Sequence, residues 1–226
     1  MHKFIPIIFF SSLFFSILVS AQTGNNTFKG HIKIPVLKEP ITRGKGYNKD
    51  RTPIMHSDDP MAAPPRNVIV SVHPLSFDAA YEPTTDAFMT QKEQTFLPLV
   101  LPVTKGSTVY LLNEDQFFHN VFSLTPKARF NIGRRPPGNS YPQKIKKSGV
   151  IRLGCDIHTH MAGFILSLET PYFQRVDVNG NFQLQQLPDG RYRVEIYHPQ
   201  LKKVTATIEL KGGQTLTKNF DLSTRA

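Results

Sequence analysis

Eighteen prolines, spread from Pro6 to Pro199, most constrain what this chain can fold into. Proline fixes φ and lacks an amide donor, so it is excluded from helix interiors and from central strands. The intervening segments carry a two-residue apolar period rather than a helical one. Gly30-His31-Ile32-Lys33-Ile34 and Tyr192-Arg193-Val194-Glu195-Ile196-Tyr197 alternate as half-buried strands. Val68–Val72, Thr108–Leu112, Asn120–Leu124, Gly149–Gly154 and Phe164–Leu168 are short apolar runs of strand length. Phe96–Val103, with Pro98 and Pro102, reads as an edge strand at best. Phe182-Gln183-Leu184, Val204–Leu210 and Thr215–Leu222 continue the pattern, with Pro188-Asp189-Gly190 and Lys211-Gly212-Gly213 as turns. No helix of three turns or more and no internal repeat is present in this reading. The expected fold is all-β.

The N-terminus carries a separate signal. Lys3 precedes an apolar run from Phe4 to Val19 that ends in Val19-Ser20-Ala21. A basic start, an apolar centre and small residues at the end describe a secretory signal peptide, residues 1–21, cleaved after Ala21. The run is short for a membrane span, which needs about 20 apolar residues. Export to the periplasm or the exterior is therefore expected, with no membrane span. Residues 22–66 read as an N-terminal segment with one strand and a long loop, Thr42–Pro65. A core β-unit over 67–171 follows, and the character changes after Pro171 to a small β-meander over 172–226.

The formal net charge is +10. Between Gln116 and Gly154 there is no acid, against Lys127, Arg129, Arg134, Arg135, Lys144, Lys146, Lys147 and Arg152. Such a stretch is either a solvated face or a surface that steers an acidic redox partner. Export and the lack of a recognition motif speak against nucleic acid. Glu114 and Asp115, adjacent in a loop, read as turn residues rather than acid/base partners. No nucleophile elbow, zinc-protease motif or phosphate loop occurs, and no enzymatic activity is expected.

Cys155, the one cysteine, opens Cys155-Asp156-Ile157-His158-Thr159-His160-Met161, between two apolar strands. A thiolate, imidazoles and a thioether thus lie within seven residues. His119, at the end of the Asn113–Asn120 loop, is a second imidazole source from a separate part of the chain. One Cys, two His and a weak axial Met form the donor set of a mononuclear electron-transfer copper site. Zinc accepts Cys and His as well, but thioether is a poor zinc ligand. A single cysteine excludes iron–sulfur clusters and the C-x-x-C-H haem attachment. On spacing alone, either His158 or His160 can supply the second imidazole.

Several segments resemble a known family. Gln94–Pro98, Asn113-Glu114-Asp115 with His119–Ser123, Leu153–His158 with Met161, and Thr170–Phe173 look like cupredoxin-like, plastocyanin-like proteins of the methylamine-utilisation type. The resemblance runs from about Phe96 to Pro199. Gly180-Asn181-Phe182, Leu187–Tyr192 and His198-Pro199 are similar to the carboxypeptidase-regulatory-like, transthyretin-type β-domains that often follow. The resemblance implies a cupredoxin Greek-key β-sandwich with a small transthyretin-like β-sandwich behind it. It implies one copper ion held by His119, Cys155, His158 and Met161. Asn120 stands where the family often has a second histidine, and His160 where it has an aromatic residue. Asn120 is then expected to support the Cys155 sulfur. Phe118, Phe122 and Phe164 are expected to form the apolar shell around that sulfur. The expected role is electron carriage, with copper storage or delivery, or a non-redox β-sandwich interaction protein, as alternatives.

Overall fold

The computed structural model describes residues 24–37 and 64–224. The expected signal peptide and nearly all of the expected loop Thr42–Pro65 lie outside these residues. Among the described residues there are seventeen strands, one 3₁₀ turn at Pro64–Asn67 and no α-helix. The first nine strands are β1 (Asn26–Lys33), β2 (Ile69–Pro74), β3 (Ala87–Lys92), β4 (Thr95–Leu97), β5 (Val100–Thr104), β6 (Thr108–Asn113), β7 (His119–Ser123), β8 (Phe130–Arg135) and β9 (Ser140–Lys144). Then come β10 (Gly149–Gly154), β11 (Ala162–Leu168), β12 (Phe173–Arg175), β13 (Asn181–Leu187), β14 (Gly190–Tyr197), β15 (Val204–Leu210), β16 (Thr215–Thr217) and β17 (Phe220–Asp221).

Two sandwiches result. In one, a five-stranded sheet in the order β5-β11-β10-β7-β8 faces a four-stranded sheet in the order β4-β3-β6-β9. Met89, Phe96, Val109, Leu111, Val121, Ile151, Leu153 and Ile165 fill the space between them. The segment read as one edge strand crosses between these sheets: β4 borders one and β5 the other, with Pro98 at the crossing. Pro102 lies in β5, whose free side needs no amide donor.

In the second sandwich, the sheet β12-β2-β14-β15 packs on the sheet β13-β1-β16, with β17 also paired to β1. Its core holds Phe28, Ile32, Val70, Val72, Phe182, Tyr192, Val194 and Ile208. The expected consecutive units 22–66, 67–171 and 172–226 do not match this pairing. β1 bonds to β13, β16 and β17, and β2 lies between β12 and β14. Both therefore belong with the C-terminal strands, and the first sandwich is inserted between β2 and β12. Strand pairing joins residues far apart in sequence, which an alternation pattern alone does not disclose.

β11 is buried along its whole length. One side faces the first core through Ile165. The other, through Phe164, Leu166 and Leu168, packs with Val100 against Ile69 and Tyr197 of the second sandwich. An uninterrupted apolar strand is the sequence expression of burial on both faces.

Candidate metal centre

The site forms where β7 and the β10–β11 connection meet at one end of the first sandwich. His119 is the first residue of β7. The loop before it is tied by Asn113, whose Nδ2 donates to the carbonyls of Phe117 (2.9 Å) and Arg135 (3.1 Å). Asn113 Oδ1 accepts the Asp115 amide at 3.0 Å. Cys155 directly follows β10, and the amide of Met161 donates to the His158 carbonyl at 3.0 Å, closing the loop into a tight turn. Strand β7 and the tight turn between β10 and β11 thus carry the donors, and only the folded sheets bring them together.

His119 Nδ1 lies 3.7 Å from Cys155 Sγ, His158 Nδ1 lies 3.9 Å from it, and the two Nδ1 atoms are 3.1 Å apart. A triangle with these sides has a circumradius of about 2.1 Å, so one point in its plane is that far from all three atoms. Metal–imidazole and metal–thiolate bonds run from about 2.0 to about 2.3 Å. The three side chains therefore converge on a volume that fits one ion. Met161 is buried in the same core cluster as Cys155. The donor set of one thiolate, two imidazoles and a nearby thioether is that of a single copper ion. His160 is not in the converging group; its ring centroid lies 6.3 Å from that of His158.

The sulfur is surrounded by amides. Asn120 and His158 each donate a backbone N–H to Sγ at 3.5 Å. Asn120 supports the sulfur through its main chain. Burial pushes the thiol pKa up, but bonds from His119 and from the amides of Asn120, His158 and Ile157 outweigh it, and the net shift is down. The thiolate form a metal requires is thereby favoured.

The His119 ring is fixed from behind. Its Nε2 lies 2.7 Å from Asp115 Oδ2, and both groups are buried. In the neutral ring that bond places the proton on Nε2 and leaves the Nδ1 lone pair aimed at the triangle. Burial works against imidazolium, but the Cys155 sulfur and Asp115 outweigh it and raise the His119 pKa. Burial would raise Asp115, yet the Gln94 amide, His119 and the Glu93 amide hold its carboxyl below the ordinary range.

The aromatic surroundings differ from expectation. Phe117 packs on both rings, its centroid 5.3 Å from His119 and 5.2 Å from His158. Phe118 is 53% exposed, Phe164 belongs to the core between the sandwiches, and Phe122 is half-buried opposite Gly154. Sequence reading missed Phe117 and Asp115. The four-residue spacing of Asp115 and His119 in one loop was the available sign of a carboxylate behind a ligand histidine.

No protein-family model matches the chain, and no curated protein matches it. Among solved structures it is similar to a purple cupredoxin from Nitrosopumilus maritimus, at 22% identity over 37% of this chain and 100% of that one, with a TM-score of 0.34. A reduced Cu(I) form of an amicyanin variant aligns at 19% identity over 43% of this chain and 99% of that one, with a TM-score of 0.35. A copper-containing nitrite reductase from Thermus scotoductus SA-01 aligns at 25% identity over 42% of this chain and 25% of that one, also at 0.35.

Proposed function

We propose that this chain is an exported, cupredoxin-like protein that holds one copper ion and carries single electrons. The convergence of His119 Nδ1, His158 Nδ1 and Cys155 Sγ on one in-plane point carries the reading. Met161, buried in the same core cluster as Cys155, would supply the thioether donor. Bound copper supplies the one-electron couple. The protein's part is to keep one donor arrangement for both oxidation states. Paired strands fix His119 and the start of the Cys155 loop, and Phe117 packs on both imidazoles. His119, Cys155 and Met161 are buried, while His158 is partly exposed and gives electrons a way in and out. A complete donor set leaves no open position for a substrate, which favours carriage over catalysis.

The partner in this reading is a redox protein with an acidic face. Arg134 and Arg135 of β8 stand opposite Asn120 and His119 of β7, beside the site. The N-terminal basic and apolar run supports export. The second sandwich is read as a transthyretin-type accessory.

Copper titration tests the centre. Protein with added Cu(II) is expected to develop an intense visible thiolate-to-copper band. Cys155→Ala, His119→Ala and His158→Ala each abolish it, whereas His160→Ala leaves it largely intact. Loss of the band in His160→Ala but not in His158→Ala overturns the ligand assignment. A reversible one-electron voltammetric wave is expected; tight Cu(I) binding without one points to storage or delivery instead.

A further inference from the structure

β3 and β4 are joined by Glu93 and Gln94, both in the left-handed region, with φ of 51° and 57°. Two consecutive left-handed residues make the tight hairpin turn that normally selects Asn and Gly, and neither Glu nor Gln is suited to it. A backbone held this way against its preference marks a constrained site. Here the unusual turn aims two amides at one carboxylate. Glu93 N–H donates to Asp115 Oδ1 at 2.5 Å and Gln94 N–H to Asp115 Oδ2 at 3.0 Å. The same Oδ2 accepts from His119 Nε2 at 2.7 Å. Asp115 is 8% exposed, and among the described residues the imidazole is its one ion-pair partner. Its negative charge is directed at the ring whose far nitrogen faces Cys155 Sγ.

We infer that Asp115, clamped by the Glu93-Gln94 turn, is a positioning residue that orients His119 and lowers the reduction potential of the ion the site holds. The inference rests on the copper reading above. A carboxylate behind a ligand imidazole makes Nδ1 a stronger donor, and a stronger donor favours the more highly charged oxidised ion. The turn fixes the carboxylate, so the effect is built into the fold.

The test has two arms. Asp115→Asn keeps an acceptor oxygen and removes the charge. It is expected to weaken Cu(II) binding about 10- to 100-fold, the usual cost of losing such a partner, with Cu(I) binding little changed. At 59 mV per tenfold for one electron, the potential rises by about 60 to 120 mV. Asp115→Glu, which restores the charge, returns the potential toward that of the unaltered chain. Unchanged potential and unchanged Cu(II) affinity in Asp115→Asn overturn the inference, because a merely structural role moves stability alone. The second arm uses the metal-free, unaltered protein and does not depend on how any variant folds. Its ¹⁵N NMR spectrum is expected to show a slowly exchanging His119 Nε2 proton. A ring protonated only on Nδ1 overturns the inference as well. Absence of a copper band in the unaltered chain sinks the copper reading, and with it the effect on potential, while the NMR arm separately judges the orientation of the ring.

Discussion

Gly163 shows how tightly the first sandwich is packed near the site. It lies in β11 opposite Leu153, and a Cβ added there would come within 2.8 to 3.0 Å of Cβ, Cγ and Cδ2 of Phe96. Those atoms lie close to the Phe96 backbone and have little room to move. Gly163→Ala is therefore expected to lower stability by about 1–3 kcal/mol, the cost of overpacking a core. The measurement is the denaturant midpoint at constant slope, and an unchanged midpoint means that Phe96 gives way freely. At this scale the sequence exposed some features and hid others. Cys155, His158 and Met161 were readable because their chemistry is crowded into one short loop, and His119 because it stands beside a strong strand. Asp115 was hidden because an acidic pair in a loop has an ordinary explanation as a turn. Gly163 gave no sign, since the ring that demands it belongs to a different strand.

Among the elements, β2 and β14 bring Ser71, His73, Arg193 and Glu195 together at paired positions of their sheet. His73 Nε2 lies 3.1 Å from Ser71 Oγ and 3.8 Å from Glu195 Oε2, and Glu195 also binds Arg193 at 2.9 Å and Lys203 at 2.8 Å. Burial lowers the His73 pKa from its ordinary 6.5; Glu195 and Glu169 oppose this, and Arg193 and Lys203 reinforce it. Folded His73 thus binds a proton less readily than the unfolded chain does. Unfolding takes up a proton as pH falls through about 6.5, so that stability declines toward acid. Glu195 is pushed up by burial, but Lys203, His73 and Arg193 together outweigh this, and its net depression removes further stability at lower pH. His73→Gln is expected to flatten the fall in stability between about pH 7 and pH 5, as measured by urea unfolding across that range. Equal slopes in variant and parent sink the idea. Strand legibility followed burial. β14, with alternate residues inward, was plain from its period. β8 alternates only over Phe130-Asn131-Ile132, and β9 is mostly exposed and holds Pro142, so neither shows a sustained apolar rhythm. β3 inverts the signal, turning Gln91 inward and Phe88 outward.

For the molecule as a whole, the decisive feature is the third core, shared by the two sandwiches. Ile69 and Tyr197 from one side meet Val100, Phe164, Leu166 and Leu168 from the other. The Arg175 guanidinium donates to the Arg66 carbonyl and, across the same seam, to the Val100 carbonyl, and burial lowers its pKa to about 10. A seam this apolar couples the two units, so calorimetry is expected to record one unfolding transition, and two resolved transitions refute the coupling. Leu166→Ala removes side-chain volume from the seam and is expected to cost about 2–5 kcal/mol, measured as a lower midpoint. That all-β character was legible and the partition was not has one physical cause. Periodicity reports which face of a strand is wet, while the choice of neighbour is settled by contacts between distant residues.

The two ends of the inserted sandwich also meet. Val72 N–H donates to the Tyr172 carbonyl at 2.9 Å, and Thr170 Oγ1 donates to the Val72 carbonyl at 2.8 Å. The metal-ligand unit is therefore a cassette whose stem is already zipped. A short hairpin spliced across that stem leaves its host with an unbroken sheet, and a different cassette grafted onto the same stem inherits a ready-made anchor.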